Sequence, residues 1–181
     1  MEKEKNILKE AIINPNTFCV TWEQIAGRGA AEKQQAEIFN NAKIAASGGK
    51  VHGISVTDNP SGNPAIASEM LCAEIKKLGI EPLVHFALRD KNRNEVESLL
   101  YGLAAANVRN ILFLSGDYPA EGGFTGKAKP VFDMDPTHAS QLADEMNRGL
   151  EYEAMGKTIS LTPTDFFAGV AASPFKQKEA E

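Results

Sequence analysis

No thiol framework is available to this chain: its 181 residues include two cysteines, Cys19 and Cys72, distant in sequence and set in apolar contexts. Neither CxxC nor Cys/His ligand spacing is present, so both are expected to be buried free thiols and no structural metal is indicated. Basic residues are scattered and outnumbered, 19 Lys and Arg against 24 Asp and Glu, with a net charge of −5 and a pI near 5.3. The electrostatic footprint of nucleic-acid binding is therefore missing. No apolar stretch approaches the roughly 18 residues of a membrane span, and the charged opening MEKEKNILKE lacks the apolar core of a signal peptide. These absences exclude a membrane partner and point to a cytoplasmic protein. The one tryptophan, Trp22, lies beside Glu23 and reads as packing.

What is present is the balance of a soluble globular domain, 43% hydrophobic and 24% charged, and the length suits a single domain over residues 1–181. A polar, helix-prone opening over 4–13 stops at Asn14-Pro15-Asn16, because proline cannot continue the helical hydrogen-bond ladder. Strands are expected at 18–23, 51–57, 81–88 and 110–115, with helices at 30–47, 66–78 and 94–106 between them. The last helix is the clearest, with Val96, Leu99, Leu100, Leu103 and Ala104 on one face. After Gly116 a Gly-, Pro- and Asp-rich loop runs to about residue 136, followed by a helix over 137–155 and a fifth strand over 166–172. The first four strands recur at intervals of about 30 residues, the length of a βαβ unit. This is the rhythm of a parallel α/β sheet, either doubly wound and open or a (β/α)8 TIM-type barrel. A complete barrel needs about 250 residues, so a barrel here would be incomplete, with about five parallel strands.

Polar residues gather at the strand ends. Glu23 closes the first strand, Thr57 and Asp58 the second, His85 and Arg89-Asp90 fall at or beyond the end of the third, and Ser115-Gly116-Asp117 closes the fourth. In parallel α/β architectures these ends share one rim, where ligands bind. Singly, each has a plainer reading. Glu23 could be a solvated carboxylate, His85 a hydrogen-bonded core histidine, and Asp117 a turn former before proline. Residues 89–93 could be a solvated loop in which Asn92 caps the next helix. His52 and His138 read as surface or structural residues.

In combination the segments VTWE, VTDNPSGNP, VHFALRDKNRNEVESLLYGLAAANVRNILFLSGDYP, VFDMD and FFAGVAASPF resemble, in order and spacing, the methylenetetrahydrofolate reductases. The resemblance spans residues 18 to 175 and implies a flavin-dependent barrel that reduces methylenetetrahydrofolate to methyltetrahydrofolate in one-carbon metabolism and methionine biosynthesis. It implies FAD as cofactor and NADH or NADPH as electron donor. By resemblance, Glu23 is the general acid on the folate N10, a role that partial burial of the carboxylate would favour. Asp117 is the charge that stabilises the resulting iminium cation and tunes the flavin. Thr57, His85, Ser115 and Gly116 match flavin-contacting positions. Phe132 and Asp133 match the segment along the flavin's nucleotide portion, and Ala171, Ser173 and Pro174 match the end of strand five beside the flavin.

The chain departs from the family pattern in carrying Ser115 where some members have arginine, ASPF where others have a Tyr-Pro-Glu form, and no counterpart of the later barrel strands. The outer strands would then present unpaired edges. A second copy or a partner subunit covering them is expected, or a chain that is a fragment of a longer one. Two alternatives from other classes are a flavin- or folate-binding subunit inactive by itself and a corrinoid-linked folate methyltransferase barrel.

Overall fold

The computed structural model describes residues 4–119 and 128–172. Its elements follow from local sequence. The first helix, α1 (Ile7–Ile13), is capped by Asn6, whose side chain accepts a hydrogen bond from the Lys9 amide. Strand β1 (Thr21–Gln24) precedes α2 (Lys33–Gly48), which buries Ile38, Ala42 and Ala45 on one stripe and ends at Gly49 with φ +63°, a left-handed cap open to glycine at little cost. Strand β2 (Gly53–Val56) leads to α3 (Ser68–Lys77), then β3 (Glu81–Ala87) and α4 (Arg93–Ala105). Asn92 caps α4 by accepting from the Glu95 amide at 3.0 Å, as its position implied. Strand β4 (Asn110–Leu114) and α5 (Pro136–Arg148) follow; Asp135 caps α5 through the His138 amide, and Pro136 occupies the first turn, where its missing N–H costs nothing.

The helix expected over 137–155 is shorter. It stops at Gly149, whose φ of +93° no ordinary helix residue adopts and whose Cβ, were there one, would lie 2.9 Å from the Leu161 carbonyl. Residues beyond it form an antiparallel hairpin of β5 (Glu151–Ala154) and β6 (Lys157–Ser160). The turn is Met155-Gly156, both at positive φ (52° and 71°), the two-residue geometry that matches strand twist. The final strand, β7 (Phe167–Val170), takes the place expected of a fifth strand.

Strands β1, β2, β3, β4 and β7 are all parallel and lie side by side in chain order. No strand order reverses, as it does in a doubly wound sheet. Alternate residues Ile54, Val56, Val84, Phe86, Ile111 and Phe113 join one buried cluster with Ile38, Leu71, Ile75, Val96, Leu100, Leu142 and Met146 from α2 to α5. Four helices therefore cover the same face, as in an arc of a (β/α)8 barrel. Phe86 and Phe113 meet edge to face at 5.5 Å, a contact worth about 0.5–1.5 kcal/mol beyond area burial.

The other face is the barrel interior. Glu23 is level with Ser55 and Ser55 with Leu83, while His85, Leu112 and Gly169 form the next layer. Its amino-terminal end is closed by α1. Leu8 is fully buried against Gly53, and Asn6 Nδ2 donates to Asn110 Oδ1 at 2.7 Å. Asn110 donates in turn to the buried Glu81 carboxylate, which Lys76 and Arg109 neutralise at 2.9 and 3.3 Å. The opening segment read only as helix-prone is thus a floor beneath the strands. Cys72 is fully buried but Cys19 only partly so, which corrects the expectation of two buried thiols. Among the described residues no helix is long and apolar enough to cross a membrane.

Candidate functional site

At the carboxyl ends of the strands a cleft of about 270 Å³ is lined by Glu23, Thr57, Asp58, His85, Gly116 and Asp117, with Ile25 and Leu114 as apolar walls. Each polar group reaches it for a structural reason. Glu23 and His85 belong to the inward set on β1 and β3, and His85 Nε2 lies 4.0 Å from Glu23 Oε2. Thr57 follows β2, where its Oγ1 accepts from the Ala26 amide at 3.0 Å and so draws the β1 loop over the cleft. Gly116, at φ +86°, swings the chain outward after β4 and delivers Asp117 exposed at the lip. Six of the residues singled out at strand ends therefore share one cleft.

Burial holds His85 below the ordinary imidazole range, opposed by the charges of Glu23 and Asp58. The ring is neutral at pH 7, able to donate from one nitrogen and accept at the other. The Glu23 side chain is 56% exposed, more open than the burial that a general-acid role would favour. Nothing among the described residues covers that side of the cleft.

The other anticipated positions lie around the cleft. Ser115 contributes its carbonyl, which accepts from the Arg89 amide at 2.9 Å. Phe132, at φ 45°, packs its ring 5.7 Å from that of Tyr118. The Asp133 carboxylate accepts from the Arg93 amide at 2.8 Å, so it serves the start of α4. Ala171 is exposed just past β7, its amide donating to the Phe113 carbonyl at 3.0 Å. Ser173 and Pro174 lie outside the described residues. His52 and His138 are structural, His52 accepting from the Val20 amide and His138 standing beside its cap Asp135.

The segment after β3 behaves differently from a solvated loop. A 3-10 turn over Leu88–Asp90 turns two cations inward, Arg89 at 2% exposure and Lys91 at 6%. Lys91 pairs with Asp58, donates to the Ala87 carbonyl and sits 4.7 Å above the Phe86 ring. Asp58 also accepts from the Ala87 amide at 2.9 Å, tying the end of β2 to that of β3. Glu69 lies 3.7 Å from Lys91, and its burial raises its carboxyl above the ordinary range. Arg89 grips Asp90 and the Asp117 carbonyl. The signal available in sequence was complementarity between Asp58-Asn59 after one strand and Arg-Asp-Lys after the next.

Chemically, the rim offers an exposed carboxylate beside a neutral imidazole, a second carboxylate at the lip, a hydroxyl and an apolar floor. That set suits a polar, planar ligand lying across the ends of the strands. Among curated proteins none matches the chain. A family model described as methylenetetrahydrofolate reductase matches residues 9–154, nearly every element described above, and the chain belongs to that family.

Proposed function

We propose that the chain binds FAD across this rim and supports reduction of 5,10-methylenetetrahydrofolate to 5-methyltetrahydrofolate, with NADH or NADPH as the source of electrons. The observation that carries the reading is the convergence of Glu23, Thr57, His85, Gly116 and Asp117 on one cleft in a chain of this family. A flavin is compatible with the residues present: Leu114 and Ile25 offer apolar walls beside the polar groups. Bound there, FAD would supply hydride transfer, which no side chain of the protein can perform.

The protein's own groups supply position, charge and protons. Thr57, His85, Ser115 and Gly116 would hold the flavin, with Phe132 and Asp133 along its nucleotide portion and Ala171 and Ser173 beside it at the end of the fifth strand. Glu23 would deliver a proton to the folate N10 and open the ring that bridges N5 and N10. His85 Nε2 lies 4.0 Å from that carboxyl and would orient it on closer approach. Asp117 would place a negative charge against the cationic one-carbon unit, an arrangement that is effective because it is fixed in advance. Among the described residues the cleft beside Glu23 is uncovered and β1 and β7 each pair on one side only, which favours operation alongside a second copy or a partner subunit.

Titration tests the reading. FAD added to the purified protein should give a saturable flavin spectrum, and methylenetetrahydrofolate should then perturb it. Thr57→Val and Gly116→Val should weaken FAD binding by about tenfold or more, given the loss of roughly 1.4 kcal/mol in contacts or strain. A protein that takes up no flavin at high micromolar FAD would overturn the proposal.

A further inference from the structure

Arg89 is the largest fully buried side chain among the described residues, yet it belongs to the rim rather than to the apolar core. Its Nε and Nη2 donate to the two oxygens of Asp90, the first at 2.9 Å, and Nη1 donates to the backbone carbonyl of Asp117. Asp90 is fixed from the far side by Asn59 Nδ2 at 2.9 Å. The backbone of Arg89 joins two more segments: its amide donates to Ser115 O at 2.9 Å, and its carbonyl accepts from the Val131 amide at 2.7 Å. Gly116 rides directly over it, and a Cβ there would lie 3.3 Å from Arg89 Cβ.

Stability alone is a poor reason for this arrangement. Burying a guanidinium costs desolvation that an apolar side chain of similar volume avoids, and its partner Asp90 keeps 30% of its side chain exposed. What arginine supplies is a rigid planar fork, able to grip a carboxylate with two donors and still direct a third at a carbonyl. The gripped carbonyl belongs to Asp117, so its position fixes the peptide from which the carboxylate projects.

The geometry points to Arg89 as the positioning residue for Asp117: its fork, locked by Asp90, sets the Gly116–Asp117 peptide and thereby the place of the Asp117 carboxylate at the rim. The inference rests on the catalytic reading of Asp117 given above. It also explains how a chain with Ser115 before the Gly-Asp pair keeps that pair in place, since the cation comes from the neighbouring strand end.

Two measurements test it. In the flavin-free protein, Arg89→Lys keeps a charge beside Asp90 but cannot span both partners. The amides of residue 89 and Val131 should then exchange with solvent about tenfold faster or more, as expected for local opening. In FAD-loaded protein, Arg89→Lys should slow reoxidation of the flavin by methylenetetrahydrofolate about 10- to 100-fold, the scale of a misplacement near 1 Å. In an Asp117→Asn background, which keeps the carbonyl and removes the charge, the same substitution should change that rate by less than about threefold, because the two residues act as a unit. Arg89→Met, lacking both charge and fork, should repeat the pattern and serves if the lysine variant folds poorly. Unchanged exchange, or equal rate losses in the two backgrounds, would overturn the assignment. A wild-type protein that takes up no FAD would refute the flavin reading, while the exchange result would still decide whether Arg89 holds the peptide.

Discussion

Replacing Gly53 with alanine isolates the contact by which α1 closes the floor. Gly53 has an ordinary strand backbone in β2, so alanine meets no conformational penalty there. In a strand the change would by itself add about 0.5–1 kcal/mol of stability by lowering the entropy of the unfolded chain. The new Cβ, however, would lie 2.8 Å from Leu8 Cδ2 and 3.0 Å from the Glu81 carbonyl, and Leu8 is fully buried. Overpacking of that kind costs about 1–3 kcal/mol. The expected net result is a loss of about 1–2 kcal/mol, read as a lower urea midpoint at unchanged slope. Leu8→Ala should itself cost about 2–5 kcal/mol by leaving a cavity. In that background Gly53→Ala should cost clearly less, because the methyl enters the vacated space and only the 3.0 Å approach to the Glu81 carbonyl remains. A Gly53→Ala protein as stable as wild type, or one that loses the same amount in both backgrounds, would refute the docking of α1 beneath the inner face.

Other consequences follow from the rim. Lys91→Met, which leaves Asp58 buried without its cation, should destabilise the fold by about 3–5 kcal/mol in chemical denaturation. Asn92→Ala removes the cap of α4 and should cost about 1 kcal/mol in the same assay. The pH dependence of stability has a definite sign. Burial lowers the His85 pKa from 6.5, so the native state binds fewer protons than the unfolded chain just below that pH. Stability is complete above 6.5 and is lost as pH falls toward the lower folded value; His85→Gln should flatten that limb of a stability–pH curve. The hydrogen bond from Arg89 holds the Asp90 carboxyl below its usual 3.8. Its contribution therefore persists above 3.8 and disappears only as pH falls through the depressed value, and an Asp90→Asn protein should lack that acid-side loss.

Much of this was legible in the sequence because parallel strands are continuous apolar runs whose spacing reports the crossover between them. The same logic places Glu23, Thr57, His85, Gly116 and Asp117 at one rim from strand ends alone. The β5–β6 hairpin was not legible: Leu150 to Ala154 has a composition that suits a helix, and only the positive φ values at Gly149, Met155 and Gly156 break it. The inward turn of Arg89 and Lys91 was hidden too. Charged residues after a strand read as solvated until their partners, Asp58 and the Asp117 carbonyl, are brought to them from the neighbouring strands. The floor is hidden in the sequence for the same reason, since Asn6 and Asn110 meet only once the barrel arc has formed. Glu23 went the other way, its side chain being 56% exposed, because it lies near the carboxyl end of β1, the edge strand of the described sheet.

The oxidative half-reaction tests the central claim most directly. FAD-loaded protein is reduced anaerobically, mixed with methylenetetrahydrofolate and followed by the return of the oxidised flavin spectrum, with Glu23→Gln alongside. Rapid folate-dependent reoxidation in the wild type, slowed by about 10²- to 10⁴-fold in the variant as expected for loss of a general acid, is the predicted result. Flavin that stays reduced in the presence of the folate, or reoxidation equally fast without Glu23, would contradict it.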